Sequence, residues 1–442
     1  MKRVLAALVA ILTVATAASA QSGSTLSLDE AIGIAIANNL TLQNAAMQVE
    51  KAEHDVAIAR TRRMPSFSIE SQASQLLTPV DISFPRGAFG DYPGIGPIPS
   101  TDATVTTPRG MSLYLNAQAT QPLSQLFTIN LNVRLSETSL AYEREQVRAG
   151  RLALVQNVRR QYYAVLESAS ALEAVAAKTR LLEEMDRVTA TRVAQQVVLK
   201  SDRLDVQTRL AEAELTRLTL RHTLASRKEQ FNQLLGRDIR TPFEVAPIPE
   251  PSRFEVDREA AQTRALDARP DIRQARVRLQ QAELAHRVSK ADRIPELALA
   301  VSSVMPVNID GAPRNISTVA IQAKWDVFDW GRKGRTVAAK GLEIRQAKNS
   351  MFDAEQRAVL EINNEVRRVE AARAQLRVAR LAQEYARENA RVRMTQYEVR
   401  AALLSDVMLA ESNLAESDDQ YTRALASFWT ALADLDHALG EE

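Results

Sequence analysis

Two long parts of the sequence have the apolar and polar pattern of helices. Residues 151–235 and 342–439 contain neither proline nor glycine and are rich in Ala, Leu, Arg, Glu and Gln, which favour helix formation. In the first part the apolar residues fall on two opposite stripes of a helix, namely Leu204, Ala211, Leu215, Leu218 and Ala225, and Val206, Leu210, Ala213, Leu220, Leu224 and Phe231. Two opposed stripes predict a helix with neighbours on both sides, as in the wall of a tube. A helix inside a large bundle is the alternative, and charged flanks such as Arg203 and Glu212 count against it.

Four shorter segments alternate between apolar and polar residues and are predicted to be strands. They are residues 65–73, 111–119, 297–305 and 316–325. Their length is close to the ~9–11 residues of a tilted strand in an outer membrane. The first pair is joined by residues 78–108, which contain six prolines and are predicted to be a long surface loop. The second connection, around 307–314, is short.

The sequence repeats itself at fixed offsets. Gly236 matches Gly440 and the pair 201–202 (SD) matches 405–406 at an offset of 204, while Pro65 matches Pro295 at an offset of 230. We therefore predict a first repeat over 21–241 with a β-hairpin at 65–122, a Pro-rich linker over 242–256, and a second repeat over 257–442 with a β-hairpin at 295–326. Each repeat has the order helix, strand, loop, strand, long helix, turn, helix.

Helix ends are also predicted from this pattern. Ser27 and Glu30 have the spacing of a capping box at the first helix. The serines of the two SD pairs, Ser201 and Ser405, are predicted N-caps, and the two repeated glycines are predicted to end the last helix of each repeat.

The first twenty residues have the features of a cleaved signal peptide. Lys2 and Arg3 precede an apolar run to about residue 17, and the run ends in the A-x-A motif of residues 18–20. Cleavage leaves equal numbers of basic and acidic residues. The chain contains no cysteine, which excludes an acylated N-terminus, a disulfide scaffold and a Cys-ligated metal. The mature protein is expected outside the cytoplasm and without a lipid anchor.

Four strands are too few to form a closed membrane structure in one chain. Known membrane barrels need at least ~8 strands. An open sheet in lipid leaves unpaired backbone groups at its edges, and each is destabilising by several kcal/mol. If the strands enter a bilayer, several chains must therefore associate.

The motifs resemble those of the TolC-like outer membrane efflux protein family over residues 26–440. The similar segments are 28–31 (LDEA), 37–39 (ANN), 121–123 (QPL), 201–207 (SDRLDVQ), 265–273 (ALDARPDIR) and 325–332 (WDVFDWGR). The resemblance implies a mainly α fold with a β-barrel portion, in which a homotrimer forms a long periplasmic α-helical barrel and each chain contributes four strands to a twelve-stranded barrel. It further implies an exit duct for drugs, metals or secreted proteins in a tripartite efflux or type I secretion system, with a periplasmic adaptor, an inner-membrane pump and outer-membrane lipid as partners.

Two features differ from the family pattern. Many members have glycine at each periplasmic helix turn, where this chain has Gln196 and Arg400. The candidate adaptor-facing tips are Gln196, Val197, Val198 and Leu199, and Arg400, Ala401 and Ala402. Some members have two entrance carboxylates spaced D-x-x-D after the second turn; this chain has Asp406 but Leu409 there, and Asp202 and Asp205 after the first turn. We hypothesise that these three aspartates form an acidic ring that favours cations. Alternatively, Asp202 and Asp406 stabilise helix N-termini.

Other chemistry is not indicated. The histidines at positions 54, 222, 286 and 437 lie in no metal-binding motif, and the glycines form no phosphate loop. The arginines are balanced by acidic residues at helical spacing, which disfavours a nucleic-acid partner. Trp325 and Trp330 are candidates for interfacial anchors or for ordinary packing. We predict no cofactor and no enzymatic activity; a periplasmic coiled-coil protein without a pore is the alternative function.

Overall fold

The structure is a computed structural model that describes residues 25–75, 77–107, 111–251, 257–307, 315–399 and 401–441. The predicted signal peptide, Arg400 and part of the predicted linker lie outside these residues. The described chain forms two compact units. Unit 1 lies within Met1–Ala46, Val147–Ile272 and Glu355–Glu442, and unit 2 within Met47–Gln146 and Arg273–Ala354.

The chain is mainly helical, and its elements follow the same order in the two repeats. The helices are α1 Leu28–Asn38, α2 Leu40–Thr61, α3 Gln125–Ala194, α4 Lys200–Leu234, α5 Arg258–Ala268, α6 Pro270–Ala291, α7 Arg332–Glu398 and α8 Leu404–Leu439. The strands are β1 Thr25–Leu26, β2 Ser66–Gln75, β3 Val80–Phe84, β4 Asp91–Tyr92, β5 Gly96–Pro97, β6 Ala103–Thr107, β7 Met111–Pro122, β8 Glu244–Val245, β9 Glu296–Val307 and β10 Ile316–Lys324. No helix in the described ranges is at once long and apolar enough to span a membrane.

Unit 1 has two cores, one built around the short first helix of each repeat. Ala31 and Ala35 of α1 pack with Val158 of α3 and Phe231 of α4. At the offset positions, Ala261 and Ala265 of α5 pack with Ile362 of α7 and Leu435 of α8. All eight side chains are buried. The sequence repeat is thus a repeat of packing, in which small residues let a short helix approach two long ones.

In each repeat, the end of the last helix packs against the end of the short first helix. Gly236 and Gly440 have φ angles of +69° and +77°, which a residue with a Cβ adopts only at a cost. A Cβ on Gly236 would lie 2.6 Å from the carbonyl oxygen of Asn38. The side chains of Asn39 and Arg269, which are equivalent at the offset of 230, donate hydrogen bonds to the final-turn carbonyls of Leu234 and Ala438. The predicted helix-ending role of the glycines agrees with this geometry.

A short strand pair joins the start of the described chain to the predicted linker. β1 and β8 pair in parallel, with Thr25 opposite Glu244 and Leu26 opposite Val245. The buried hydroxyl of Tyr162 donates to the carbonyl oxygens of Leu26 and Ala246 at 3.0 and 2.9 Å. The linker therefore contains a strand that its prolines did not indicate.

Unit 2 contains a four-stranded antiparallel sheet in the order β10-β9-β7-β2. β7 of the first repeat pairs with β9 of the second, so the hairpins of the two repeats form one sheet. β2 and β10 form the edges. Hydrogen bonds and ion pairs between Arg60 and Glu137 and between Arg144 and Glu53 hold α2 against α3 in the same unit.

The connection between β2 and β7 was predicted to be a long surface loop, but it also contains short strands. It contains two further antiparallel pairs, β3 with β6 and β4 with β5. The backbone N–H of Arg86 also donates to the carboxylate of Asp102 at 2.8 Å. Prolines and glycines occupy the turns between these strands, so the segment is locally ordered although its composition is typical of a loop.

Candidate functional site

The turn between α3 and α4 is a helix end with an unusual residue. Gln196 has a φ angle of +60°. Its N–H donates to the carbonyl of Val193, and the N–H of Val197 donates to the carbonyl of Arg192, both at 3.0 Å. This is the hydrogen-bond pattern of a Schellman motif, in which the left-handed residue is usually glycine. The backbone at this turn therefore keeps the conformation that glycine favours, although the residue is glutamine.

The turn between α7 and α8 has the equivalent bond. The N–H of Ala401 donates to the carbonyl of Gln396 at 2.7 Å, at positions 204 residues after the bond between Val197 and Arg192. The predicted tip residue Arg400 lies outside the described residues. The two turns thus share the same hydrogen-bonded end.

The tips of both turns present apolar side chains. Val197 and Leu199 are 70% and 71% exposed, and Val399 and Leu403 in the second turn are also exposed. Among the other predicted tip residues, Gln196 and Ala401 are exposed, and Val198 and Ala402 are half-buried. The residues Val399 and Leu403 were absent from the predicted tips, although the repeat offset from Leu199 points to Leu403.

The N-caps of α4 and α8 differ from the prediction. They are Leu199 and Leu403, and neither side chain can accept a capping hydrogen bond. Ser201 and Ser405 lie inside the first turn instead, so the prediction that they are N-caps is wrong. The backbone turns into the helix two residues earlier than the serines because each turn is only a few residues long.

Each predicted entrance carboxylate has a local partner on its own helix. A carboxylate oxygen of Asp406 accepts the N–H of Leu403 at 3.0 Å, which satisfies a free donor at the start of α8. Asp205 forms an ion pair with Arg209 at 3.0 Å, and the hydroxyl of Ser201 lies 3.4 Å from the carboxylate of Asp202. Asp406 therefore has the structural role that was the alternative to the acidic ring. The two roles are compatible in one residue.

An ion pair links the two arms of the first hairpin, and a side-chain hydrogen bond links those of the second. The guanidinium of Arg203 on α4 donates to both carboxylate oxygens of Asp186 on α3, at 3.1 and 3.4 Å. On the second hairpin, the side-chain amide of Gln383 on α7 donates to Asp418 on α8 at 2.8 Å. The tips are thus presented on hairpins with cross-linked arms.

A buried carboxylate joins three helices deeper in unit 1. Asp434 on α8 is 3% exposed. It accepts hydrogen bonds from Gln156 and Arg160 on α3, both at 2.8 Å, and from Arg368 on α7 at 3.3 Å. These partners satisfy a charge that would otherwise be unfavourable in the interior. No sequence spacing indicated this residue, because its partners come from distant helices.

Burial alters the titration of several groups in unit 1. It raises the pKa of the carboxyls of Glu167, Asp419 and Asp436 above their usual range, although arginines nearby oppose the shift. Burial lowers the pKa of His437, so that its imidazole favours the neutral form. Burial also raises the pKa of Tyr163 to about 12. These groups lie between packed helices, and within the described residues no three His, Asp or Glu side chains form a group able to hold a metal ion.

The sheet of unit 2 has one apolar and one polar face. Residues directly opposite on paired strands form rows across the sheet, and one row is Phe67, Ala119, Val301 and Val319. The next row is Ser68, Gln118, Ser302 and Thr318, and it lies on the other face. The exposed side chains of the apolar face include Phe67, Ile69, Leu299, Val301, Val319 and Ile321.

A cavity of about 1480 Å³ lies at the polar face, where the sheet meets the helices of unit 2. Its lining includes basic residues such as Arg62 and Lys324, acidic residues such as Asp292 and Glu296, and polar residues such as Asn132.

The chain matches the family model described as outer membrane efflux protein over residues 31–237 and 262–441. No curated protein matches it in sequence. Its fold is similar to those of solved outer membrane proteins. These include CmeC of Campylobacter jejuni, an outer membrane channel, with a TM-score of 0.76 and 15% identity over 93% of this chain and 85% of that one. VceC of Vibrio cholerae has a TM-score of 0.72 and 16% identity over 94% of this chain and 96% of that one. The open outer membrane channel MtrE of Neisseria gonorrhoeae has a TM-score of 0.69 and 17% identity over 94% of this chain and 89% of that one.

Proposed function

Because the chain belongs to the outer membrane efflux protein family, we propose that it is one protomer of a homotrimeric exit duct. The duct carries solutes passively across the periplasm and the outer membrane and performs no catalysis. A periplasmic adaptor and an inner-membrane pump supply the solute in a tripartite efflux or type I secretion system.

The observation that carries this proposal is the two-faced sheet with open edges. Phe67 and Val319 are exposed on an apolar face that is suited to lipid, and the opposite face is polar, as suits a water-filled lumen. The outer edges of β2 and β10 have no partner strand among the described residues. Pairing of β10 with β2 of a neighbouring copy removes both edges, and three copies give a twelve-stranded barrel.

The helices of unit 1 have exposed apolar residues that suit the same assembly. Leu204, Leu215 and Leu218 are exposed on one stripe of α4, and Val378 and Leu381 are exposed on α7. In a helical barrel these residues contact the neighbouring protomer, because each wall helix then has packing partners on two sides.

The periplasmic end of the duct lies at the tips of the two helical hairpins. Their exposed valines and leucines suit contact with an adaptor, including Val197 and Leu199. Asp202, Asp205 and Asp406, repeated three times, form the acidic ring at this entrance and favour cations. The triple substitution Asp202→Asn/Asp205→Asn/Asp406→Asn is expected to reduce the cation preference of the conductance. An unchanged preference would remove the ring from the proposal.

The decisive experiment combines the mass of the purified protein in detergent with its conductance in planar bilayers. We expect a trimer that forms pores. A monomer without pore current contradicts the proposal and favours a periplasmic protein without a pore.

Paired substitutions test which face of the sheet meets lipid. Ile321 lies on the apolar face and its neighbour Gln322 on the polar face. Ile321→Arg is expected to reduce insertion, because an arginine facing lipid is unfavourable by about 2–4 kcal/mol at the midplane. The control Gln322→Arg is expected to insert normally. Equal insertion of the two variants would contradict the assignment of the faces.

Export is proposed to proceed through cleavage of residues 1–20 without lipidation. The mature N-terminus is then Gln21, and mass spectrometry of protein purified from outer membranes checks both points. A mass that includes the first twenty residues, or an added acyl chain, would contradict this part of the proposal.

A further inference from the structure

One row of residues across the sheet of unit 2 differs from the rest of its polar face. The row consists of four residues that pair directly on neighbouring strands, namely Glu70, Asn116, Val304 and Ile316. Because side chains alternate along a strand, the row lies on the same face as Ser68, which is two positions from Glu70 on β2. We call these four residues the mixed row, since they combine a carboxylate, an amide and two aliphatic side chains.

Glu70 is the one charge on the polar face of the four strands that has no opposite charge beside it in the chain. The other charged residues of that face are Glu296 and Lys324, which are directly opposite each other in the register of β9 and β10. Glu70 is exposed, and its partner on β7 is the neutral Asn116. The residues before and after it on the same face are also neutral. An exposed carboxylate in such surroundings attracts cations.

The mixed row also contains the largest aliphatic side chains of the polar face. Ile316 is 47% exposed, and Val304 is half-buried. Nearer the helices, the residues of this face on β9 and β10 are small or polar, namely Ala298, Ala300, Ser302, Thr318, Ala320 and Gln322. Aliphatic side chains exposed to water are stabilised by contact with an apolar group. The row therefore offers an apolar contact on the strands next to its carboxylate.

Asn116 supplies a hydrogen-bond acceptor between the charge and the aliphatic side chains. Its side-chain oxygen is buried and has no hydrogen-bond partner in the described part of the chain. A buried acceptor without a partner is unfavourable, so a donor that binds it is stabilising. The terminal torsion of asparagine has a broad range, which lets the oxygen turn towards a donor above the sheet.

The spacing of the strands determines the shape of a suitable ligand. Neighbouring strands lie about 4.8 Å apart, so the backbone of Glu70 is about 10 Å from that of Val304. An ammonium group at one end and an apolar chain at the other match this spacing. The row is separate from the cavity at the polar face, whose lining on β9 and β10 comes from the helical end of these strands, as with Glu296 and Gln322.

We propose that the mixed row is a binding site for amphiphilic primary amines in the lumen of the duct. The ammonium group binds the carboxylate of Glu70 and donates to the side-chain oxygen of Asn116. The alkyl part lies on Val304 and Ile316. This inference rests on the proposed function, because it requires the polar face to line a water-filled lumen. A trimer then has three such sites, one in each chain.

Single-channel conductance in planar bilayers with added solutes tests the site. The probes are octylammonium, ethylammonium and octanesulfonate. We expect octylammonium to reach half of its maximal reduction of conductance at a concentration at least about tenfold lower than ethylammonium, because its longer chain buries more apolar surface. Octanesulfonate has the same chain and a negative charge, and we expect the weakest effect from it. Equal effects of octylammonium and octanesulfonate, or none from either, would overturn the site.

The same recordings distinguish failure of the site from failure of the duct. Channels that conduct but respond equally to the three probes refute the mixed row alone. Absence of conductance in the unsubstituted protein refutes the proposed function. All variants are compared in the same lipid, so that adsorption of the amine to the bilayer affects them equally.

A matched pair of carboxylate substitutions separates the site from the overall charge of the lumen. Glu70→Gln is expected to raise the half-effective concentration of octylammonium by about threefold. The control Glu296→Gln removes a carboxylate of the same face that lies opposite Lys324, and it is expected to leave that concentration unchanged. Equal increases in the two variants would indicate attraction by the overall charge and would overturn the site.

A second pair of variants tests the apolar contact. Val304→Ser/Ile316→Ser is expected to weaken the effect of octylammonium by about fivefold and to leave that of ethylammonium unchanged. The control Val301→Ser/Val319→Ser changes the same two strands on the apolar face and is expected to respond as the unsubstituted protein does. An equal response of the two double variants to octylammonium would overturn the apolar contact.

The hydrogen bond to Asn116 is tested with an amine that has no N–H donor. Octyltrimethylammonium is expected to act about threefold more weakly than octylammonium, because it cannot donate to the side-chain oxygen. Asn116→Ala is expected to remove the difference between the two amines. A difference that persists in this variant would overturn the assigned hydrogen bond.

Discussion

Substitution of Gly236 by alanine tests the contact between the ends of the last and first helices of the first repeat. The backbone at this position has a φ angle of +69°, and a residue with a Cβ loses about 1–2 kcal/mol there. The added Cβ would lie 2.6 Å from the carbonyl oxygen of Asn38 and 3.0 Å from its carbonyl carbon. Because these are backbone atoms at the end of α1, relief requires the helix to move, which adds about 1–3 kcal/mol. The expected loss of stability is about 2–5 kcal/mol.

The control is Gly33→Ala in the same unit. Gly33 lies inside α1, and a Cβ there would have no atom within 4 Å. Alanine is expected to stabilise the helix by about 0.5–1 kcal/mol, because it has the higher helix propensity. The assay is the midpoint of guanidinium unfolding by far-ultraviolet circular dichroism at equal protein concentrations. The expected order is Gly33→Ala above the unsubstituted protein and Gly236→Ala below it. A midpoint for Gly236→Ala at or above that of the unsubstituted protein would refute the close contact.

Three further predictions use the same unfolding assay. Gln196→Gly is expected to stabilise by about 0.5–1 kcal/mol, because it removes the Cβ from a left-handed residue, whereas the control Gln195→Gly gains nothing. Asp434→Ala is expected to destabilise by about 1–3 kcal/mol because it removes a buried acceptor of hydrogen bonds from Gln156, Arg160 and Arg368. Its control Asp205→Ala, at an exposed ion pair, is expected to change stability by less than about 0.5 kcal/mol. Tyr163 keeps its proton in the folded state up to a pKa of about 12 but loses it near 10.0 when unfolded, so stability falls as pH rises between these values and Tyr163→Phe flattens the fall. Equal unfolding midpoints for Gln196→Gly and Gln195→Gly, or for Asp434→Ala and Asp205→Ala, would contradict the first two predictions. An equal dependence of stability on pH in Tyr163→Phe and the unsubstituted protein would contradict the third.

Long regular elements could be predicted from the sequence because their patterns extend over many residues. The two stretches that lack proline and glycine contain most of α3 and α7 together with α4 and α8, although α3 also runs through Gly150 and α7 through Gly334 and Gly341. The strands β2, β7, β9 and β10 coincide with alternating segments. The offset of 204 also predicted the positions of the helix-ending glycines, because a left-handed helix end restricts the residue type.

Short elements could not be predicted. β4, β5 and β8 have two residues each, which is too few for a period to appear. The N-caps Leu199 and Leu403 were missed because the turn preceding them fixes the start of each helix through backbone hydrogen bonds. Serines two residues later carried a misleading capping pattern.

Interactions between distant residues were missed for a different reason. The side chains of Asn39 and Arg269 both donate to a carbonyl in the last turn of the final helix of their repeat. Because asparagine and arginine are different residues, the sequence comparison did not relate these two positions. Asp434 takes its partners from α3 and α7, and no local spacing connects them. The entrance carboxylates could be selected from the sequence, and the ion pair of Asp205 with Arg209 has an i, i+4 spacing that the sequence also contains.

The pairing of β1 with β8 has a consequence for biosynthesis. A ribosome completes residues 25 and 26 early, but their partner residues 244 and 245 follow only after more than half of the chain has been made. The core cluster that contains Leu26 also contains Ala426, which is made later still. Residues 25 and 26 therefore stay unpaired until these later segments have been made. A product that ends before residue 244 would leave residues 25 and 26 without their strand partners and accessible to proteases.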